Sequence, residues 1–251
     1  MIFNFQAFFY ALIFSGFLEF VAFFEFKFFY LFYLLFFIFL FAWFASQRIG
    51  RRLIFSFIPI IFSFSSTVLL YLIDLPAEKH FFILLSSLVF YLSLLGIYRL
   101  RIFPRDQSAK EMIAVSLMAT VFLFFSSAFG IYLNFNIPVW VLVLIFMAVI
   151  YLISYEYLFI AAFFFKDHPS VFLYSFILAF SIAQLAWFTV FWPFGYLTTS
   201  TIILIFYYLL WDLAQTNFLR FFSQKRFLLN LIFFSLLALL ALLSSKWRME
   251  I

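Results

Sequence analysis

The chain reads as an all-α protein, a polytopic integral membrane bundle of about nine transmembrane helices. Three observations carry that reading. Hydrophobic residues make up 69% of the 251 residues and phenylalanine alone accounts for 49 of them. Charged residues contribute only 10%. Those charges are bunched into short clusters separated by apolar runs of about 20 residues, the length a helix needs to cross the hydrocarbon core. A soluble chain of this composition would expose large apolar patches and aggregate, whereas in lipid the apolar surface is the solvated one.

The runs fall at Phe5–Phe24, Phe28–Ala45, Leu53–Ile73, Phe81–Tyr98, Met112–Leu133, Val139–Phe165, Val171–Trp192, Thr198–Leu219 and Phe227–Ser245. All are expected to be helices, because an open strand in lipid leaves its backbone groups unpaired. The first two runs are separated only by Glu25-Phe26-Lys27, without Gly or Pro. That segment is a tight turn, or the first span ends near Leu18 and Glu19 to Lys27 lies along the outer surface. A third arrangement makes the two runs a re-entrant pair, giving eight elements. The third span carries Pro59 near one end. The fourth and fifth are joined by the longest polar connection, the 12 residues from Arg99 to Lys110. Breaker chemistry marks two further turns, Asn134-Phe135-Asn136-Ile137-Pro138 and Trp192-Pro193-Phe194-Gly195. Lys166-Asp167-His168-Pro169 forms a compact charged turn between the sixth and seventh spans. Trp43, Trp140, Trp192, Trp211 and Trp247 fall at or near the span ends, where amphipathic rings favour the headgroup level.

No connection is long enough to fold by itself. Residues 1–251 are therefore expected to form one transmembrane domain with no soluble domain, which excludes an ATPase or kinase module within them. The chain has no cysteine, so disulfides, iron–sulfur sites and thiol catalysis are out of reach. Residues 1–6 lack the basic start and small-residue cleavage site of a signal peptide, so the first span is expected to be retained. The net charge of +5 reflects basic loops rather than a nucleic-acid surface, and no nucleic-acid partner is expected.

Lysine and arginine orient the bundle, because cytoplasmic loops carry their excess. With nine spans, Arg48, Arg51 and Arg52 share a side with Arg99, Arg101, Arg105 and Lys110. Lys166, Arg220, Lys225 and Arg226 fall there too. That side holds 11 of the 15 basic residues, leaving Lys27, Lys79, Lys246 and Arg248 opposite. The expected arrangement places the N-terminus in the cytoplasm and the C-terminus outside, in a prokaryotic cytoplasmic membrane. The basic residues form a candidate face for anionic lipid or an acidic partner, since each Lys or Arg near an anionic membrane surface is worth ~1 kcal/mol.

An ionisable residue inside a membrane is a functional candidate by default. Glu19, Glu156 and Asp212 qualify. Glu156 and Asp212 lie on the sixth and eighth spans, which run in the same direction, and with Gln184 and Gln215 they make a candidate intramembrane polar site. A hydrated cavity there would let a carboxylate bind a cation, relay protons or hold a polar headgroup. The plainer reading ends the sixth span at Tyr155 and the eighth at Trp211, leaving both carboxylates at headgroup level. His80 and His168 read as solvated loop histidines, and two isolated histidines make no zinc site. No His-Glu-x-x-His, Gly-x-Ser-x-Gly or Walker signature occurs, so no catalytic residue, cofactor or metal is expected. Glycine and proline sit mostly in connections. Broken-helix transporters place them mid-span, so their distribution here argues mildly against a rocking carrier. Gly-x-x-x-Gly packing is absent, and bulky phenylalanine and leucine contacts are expected to dominate.

Three functions remain in order of fit: a non-enzymatic accessory or scaffold component of a membrane complex, a carrier or flippase for a lipid-linked or small hydrophobic substrate, and an intramembrane lipid enzyme. The expected partners are membrane lipids and a membrane protein. A reporter fused after Ile251 that works only in the cytoplasm is expected to stay inactive; activity would overturn the orientation.

Overall fold

Within the described residues each of the nine apolar runs contains an α-helix, because runs with few Gly and no Pro beyond the first turn satisfy their own backbone hydrogen bonds. The computed structural model describes residues 5–23, 28–135, 137–161, 168–218 and 223–244. Their elements in order are α1 (Phe5–Phe23), α2 (Phe28–Gly50), α3 (Phe57–Leu72), α4 (Pro76–Ile102), α5 (Gln107–Asn134), α6 (Val139–Ala161), α7 (His168–Thr189), α8 (Tyr196–Phe218) and α9 (Gln224–Ser244). A short 3-10 turn, Leu53–Ser56, leads into α3. Among the described residues there is no strand, and nine helices are long and apolar enough to cross a membrane.

Several helices run further than the apolar pattern indicates. α2 continues through Arg48 to Gly50, and α4 begins at Pro76 and ends beyond Arg99 and Arg101. The expected 12-residue connection shrinks to residues 103–106. Charge is the reason. Arginines in the last turn of a helix sit favourably against its negative end, so the helix persists past its apolar portion. Pro76 occupies the first turn of α4, where its missing N–H breaks no helical bond. Pro59 likewise falls in the first turn of α3 and leaves that helix unkinked. α1 passes through Glu19 unbroken to Phe23, so the span does not end near Leu18. The Glu25-Phe26-Lys27 turn lies outside the described residues, as do Lys166, Asp167, Arg220, Lys246, Trp247 and Arg248.

The chain divides into two compact units, Met1–Ser127 and Ala128–Ile251. In the first, α1 and α4 pack antiparallel. Phe14 stacks on Phe90 with centroids 4.5 Å apart, and Phe8 meets Tyr91 edge-on at 6.3 Å. Phe62 of α3 and Phe41 of α2 close on the same pair, at 6.4 Å from Phe14 and 6.5 Å from Phe90. Four helices thus share one aromatic centre. In the second unit, α6 and α7 form a tightly packed hairpin, joined by Leu158 and Val171 and by an edge contact of Tyr151 with Phe172 at 5.7 Å. α8 lies against α7, and α9 folds back antiparallel on α8 with Tyr208 4.6 Å from Phe234.

The interior combines the expected phenylalanine and leucine contacts with small residues. Many of its buried positions are small: Ala7 and Ala11 on α1, Ala42, Ser46 and Gly50 on α2, Ser175, Ala179 and Ala183 on α7. Many phenylalanines instead face outward. Small residues let backbones approach, which is where helix association in lipid gains its dispersion energy. Gly96 marks one close approach. A Cβ there would meet Ile113 Cγ1 at 2.9 Å and the backbone oxygen of Ala109 at 3.1 Å, both on α5. Many buried hydroxyls are absorbed locally. Ser46, Ser63, Ser66, Thr67, Ser116 and Thr120 each donate to the carbonyl four residues back.

Gly96→Ala is expected to destabilise the first unit by about 1–3 kcal/mol, because the clash is with backbone and a branched side chain. Gly16→Ala meets nothing within 4 Å and is expected to stay within about 1 kcal/mol of the parent. Detergent–denaturant titration of both variants checks the contrast, and equal effects would refute the close approach.

Candidate functional site

α8 supplies the most organised polar group. Its helix runs on to Phe218, so Asp212 begins no separate helix; it lies inside a continuous one and is 8% exposed. Antiparallel folding of α9 brings Asn230 and Arg226 to it. Asn230 Nδ2 donates to Asp212 Oδ2 at 3.0 Å, and Arg226 Nη2 lies 3.6 Å from Asp212 Oδ1. Thr216 Oγ1 donates to the Asp212 carbonyl at 2.7 Å. The carboxylate is thereby spent on a clasp between two helices. Asn230 and Arg226 reach it from successive turns of α9, and Tyr208–Phe234 continues the contact one turn further along both helices. Arg226 is largely exposed, so its pairing adds little; the Asn230 hydrogen bond is the firmer half.

Asn230 is the participant that sequence reasoning missed. It is the only amide between Phe227 and Ser244. In a helical hairpin its distance from the turn matches that of Asp212, and that symmetry was the available signal.

Glu156 is fully buried, and α6 continues past it to Ala161, so neither carboxylate sits at the end of its helix. α6 and α8 are neighbours. Ser154 Oγ and the Tyr207 hydroxyl lie 3.1 Å apart, both buried, and the rings of Tyr157 and Trp211 are 5.0 Å apart. A helix turns about 100° per residue, which sets Glu156 some 200° round from Ser154 and off the face that meets α8. Asp212, one residue and about 100° on from Trp211, meets Asn230 of α9.

Gln184 lies on the exposed side of α7, and Gln215 is half-buried on α8. Trp211, expected at a headgroup level, is instead buried, and its Nε1 has no hydrogen-bond partner among the described residues. A cleft of about 140 Å³ opens between α7 and α8, lined by Tyr174, Ile177, Ser181, Leu210, Leu213 and Asn217. At its end Asn217 Nδ2 donates to the Tyr174 hydroxyl at 3.1 Å. Apart from Ser181, its walls are otherwise apolar. His80 is not a loop residue: it belongs to the first turn of α4, where its Nδ1 lies 3.1 Å from Glu19 Oε1 of α1. Among the described residues no group of three His, Cys, Asp or Glu is placed to hold a metal.

Apart from Lys79, the described basic residues of the first unit gather at one end of its helices. Arg48 and Arg51 close α2, Arg52 precedes α3, Arg99 and Arg101 end α4, and Arg105 and Lys110 lead into α5. Three of these contacts are structural. Arg101 Nη1 donates to the Ile49 carbonyl at 3.0 Å, closing the C-terminus of α2 from α4. Arg99 Nη2 lies 2.6 Å from Asp106 Oδ2, while Asp106 Oδ1 accepts the Ala109 N–H at 3.3 Å and so caps α5. The Arg48 guanidinium sits 5.6 Å over the Phe44 ring. Lys225 and Arg226, exposed at the start of α9, belong to the second unit, and Arg220 lies outside the described residues.

These features define a multi-helical chain with a membrane-compatible exterior and a polar clasp between its last two helices. Compared with known proteins, the chain matches no family model, no curated protein and no solved structure.

A double-mutant cycle on Asp212→Ala and Asn230→Ala is expected to give a coupling energy of about 0.6–1.7 kcal/mol, the range of interhelical hydrogen bonds within membranes. Reversible unfolding in mixed micelles measures it; additive effects would mean the two side chains do not hold α9.

Proposed function

We propose that this chain is a non-enzymatic, multi-pass component of a prokaryotic cytoplasmic membrane, serving as an accessory or scaffold subunit of a larger complex. The supporting observation is the engagement of Asp212. Its carboxylate binds Asn230 and Arg226 of the neighbouring helix instead of facing an open cavity. Ser154 and Tyr207 are committed to each other in the same way. Polar groups used helix to helix fit a protein whose task is to keep a shape for a partner. The bias of lysine and arginine supports an N-terminus in the cytoplasm and a C-terminus outside.

One observation favours a second reading. Glu156 is fully buried within a continuous α6, and intramembrane carboxylates commonly mark ion or substrate pathways. The carrier or flippase reading uses Glu156 as its ionisable group and the cleft between α7 and α8 as a place for an apolar chain.

Purification from native membranes in a mild detergent, followed by mass spectrometry, separates the readings. The accessory reading expects a protein partner at fixed stoichiometry. A lone protein enriched in one lipid or polyprenyl species would favour the carrier. Glu156→Gln, which keeps shape but cannot ionise, is expected to leave partner association and protein level unchanged. Loss of growth or transport at normal protein level would refute the accessory reading.

A further inference from the structure

Charge in the first unit is segregated along its helices. At one end, seven cationic side chains meet only two carboxylates, Asp106 and Glu111. Asp106 is already taken by Arg99 and by the cap of α5. The opposite end carries Glu19, Asp74 and Glu78 against Lys79 and His80. The Glu19–His80 contact fixes that end, and the Arg101–Ile49 contact fixes the basic one.

The basic end has a particular construction. Arg51 has φ 56°, and among the described residues no other non-glycine residue has a positive φ. Its N–H caps the Gln47 carbonyl at 3.0 Å, a helix-ending position where glycine is the usual occupant. The preceding Gly50 has no room for a side chain: a Cβ would meet Ile97 Cγ2 at 2.9 Å and Phe55 Cβ at 3.1 Å. A conformation that disfavours side chains thus carries an arginine between Arg48 and Arg52, all three exposed. Backbone strain held at one residue points to a use for that residue.

Exposed apolar side chains interleave with these cations. Leu53 is 67% exposed beside Arg52, and Ile102 and Phe103 are 43% and 51% exposed between Arg101 and Arg105. A protein partner in water would meet guanidinium groups next to uncovered leucine and phenylalanine. A lipid surface suits both, with acyl chains against the apolar groups and phosphates against the arginines.

We propose that this end of the first unit, centred on Arg48, Arg51 and Arg52 with Arg105, is a binding surface for anionic phospholipid headgroups. Arginine forks match phosphate oxygens bidentately, and the apolar collar sets them at headgroup depth. The proposal rests on membrane insertion but not on the accessory role.

The test uses the full chain in nanodiscs made from equal parts phosphatidylglycerol and phosphatidylcholine. Native mass spectrometry reads the lipids retained when the disc is stripped away. The parent is expected to retain phosphatidylglycerol preferentially. The R48Q/R51Q/R52Q/R105Q variant is expected to lose that preference by at least about tenfold, since each cation near an anionic surface is worth roughly fivefold in affinity. Lys79→Gln, at the opposite end, is expected to leave it unchanged. R51G supplies a variant that relieves the backbone: its melting temperature is expected to hold or rise while phosphatidylglycerol retention falls. Unaltered preference in the quadruple variant, or equal loss in Lys79→Gln, would overturn the proposal. So would a parent that retains neither lipid but binds an acidic protein. Failure to enter nanodiscs would instead overturn membrane insertion, and is seen before any lipid is counted.

Discussion

An apolar exterior leaves polar groups only two places to go, the helix ends and the partners they find inside. This constraint accounts for most of the observed hydrogen bonding. Where water is absent an unmade hydrogen bond is costly, and the nearest acceptor is the helix's own backbone. Ser46, Ser63, Ser66 and Thr67 all take that route. They then present small, nearly apolar surfaces to neighbouring helices. Serine serves here as a compact residue for close packing, beside alanine and glycine, while the aromatic bulk concentrates where Phe14, Phe41, Phe62 and Phe90 meet.

Several longer polar side chains connect helices or lie at their ends. Asp212 reaches Asn230, and Ser154 reaches Tyr207. Arg101 crosses from α4 to the end of α2, and Asp106 caps α5 while binding Arg99. The end contacts have a common physical basis. A helix terminus exposes unpaired carbonyls or amides and half a unit charge. Arginine at C-termini and aspartate at an N-terminus complete both at once. The clustering of basic residues therefore serves the fold, and Arg48, Arg51 and Arg52 lie exposed beside these contacts.

The sequence carried element type and number because each span is long and interrupted by charge. Ends were less legible. The hydropathy of α4 falls away at Tyr98, yet the helix runs on through Ile102, since arginine is a good helix former and favours a C-terminal turn. Interior faces were less legible still. A run such as that of α6 is apolar all round, so no periodicity separates the residues facing α7 and α8 from those facing outward. For the same reason Trp211 read as an interfacial anchor although it packs on Tyr157 inside the second unit. Asp212 stood out by its charge, but its meaning came from Asn230, an amide whose importance depends on the register of the last hairpin. Gln184 carried no such signal and lies on the exposed side of α7.

The way α9 is attached bears most directly on the choice between scaffold and carrier. Most of its large side chains are exposed, and Ala238 is its one fully buried residue among those described. Dispersion from so thin a contact orders a helix poorly, because lipid tails offer nearly the same packing as leucine. A hydrogen bond from Asn230 to a carboxylate is different in kind, since lipid cannot replace it. A carboxylate that had to exchange ions or substrates would need to leave that bond during each cycle and release α9 as it did so. A carboxylate that only has to hold α9 in register gains by staying. The arrangement around Asp212, with Asn230 on one oxygen, Arg226 near the other and Thr216 on its carbonyl, favours a residue that stays.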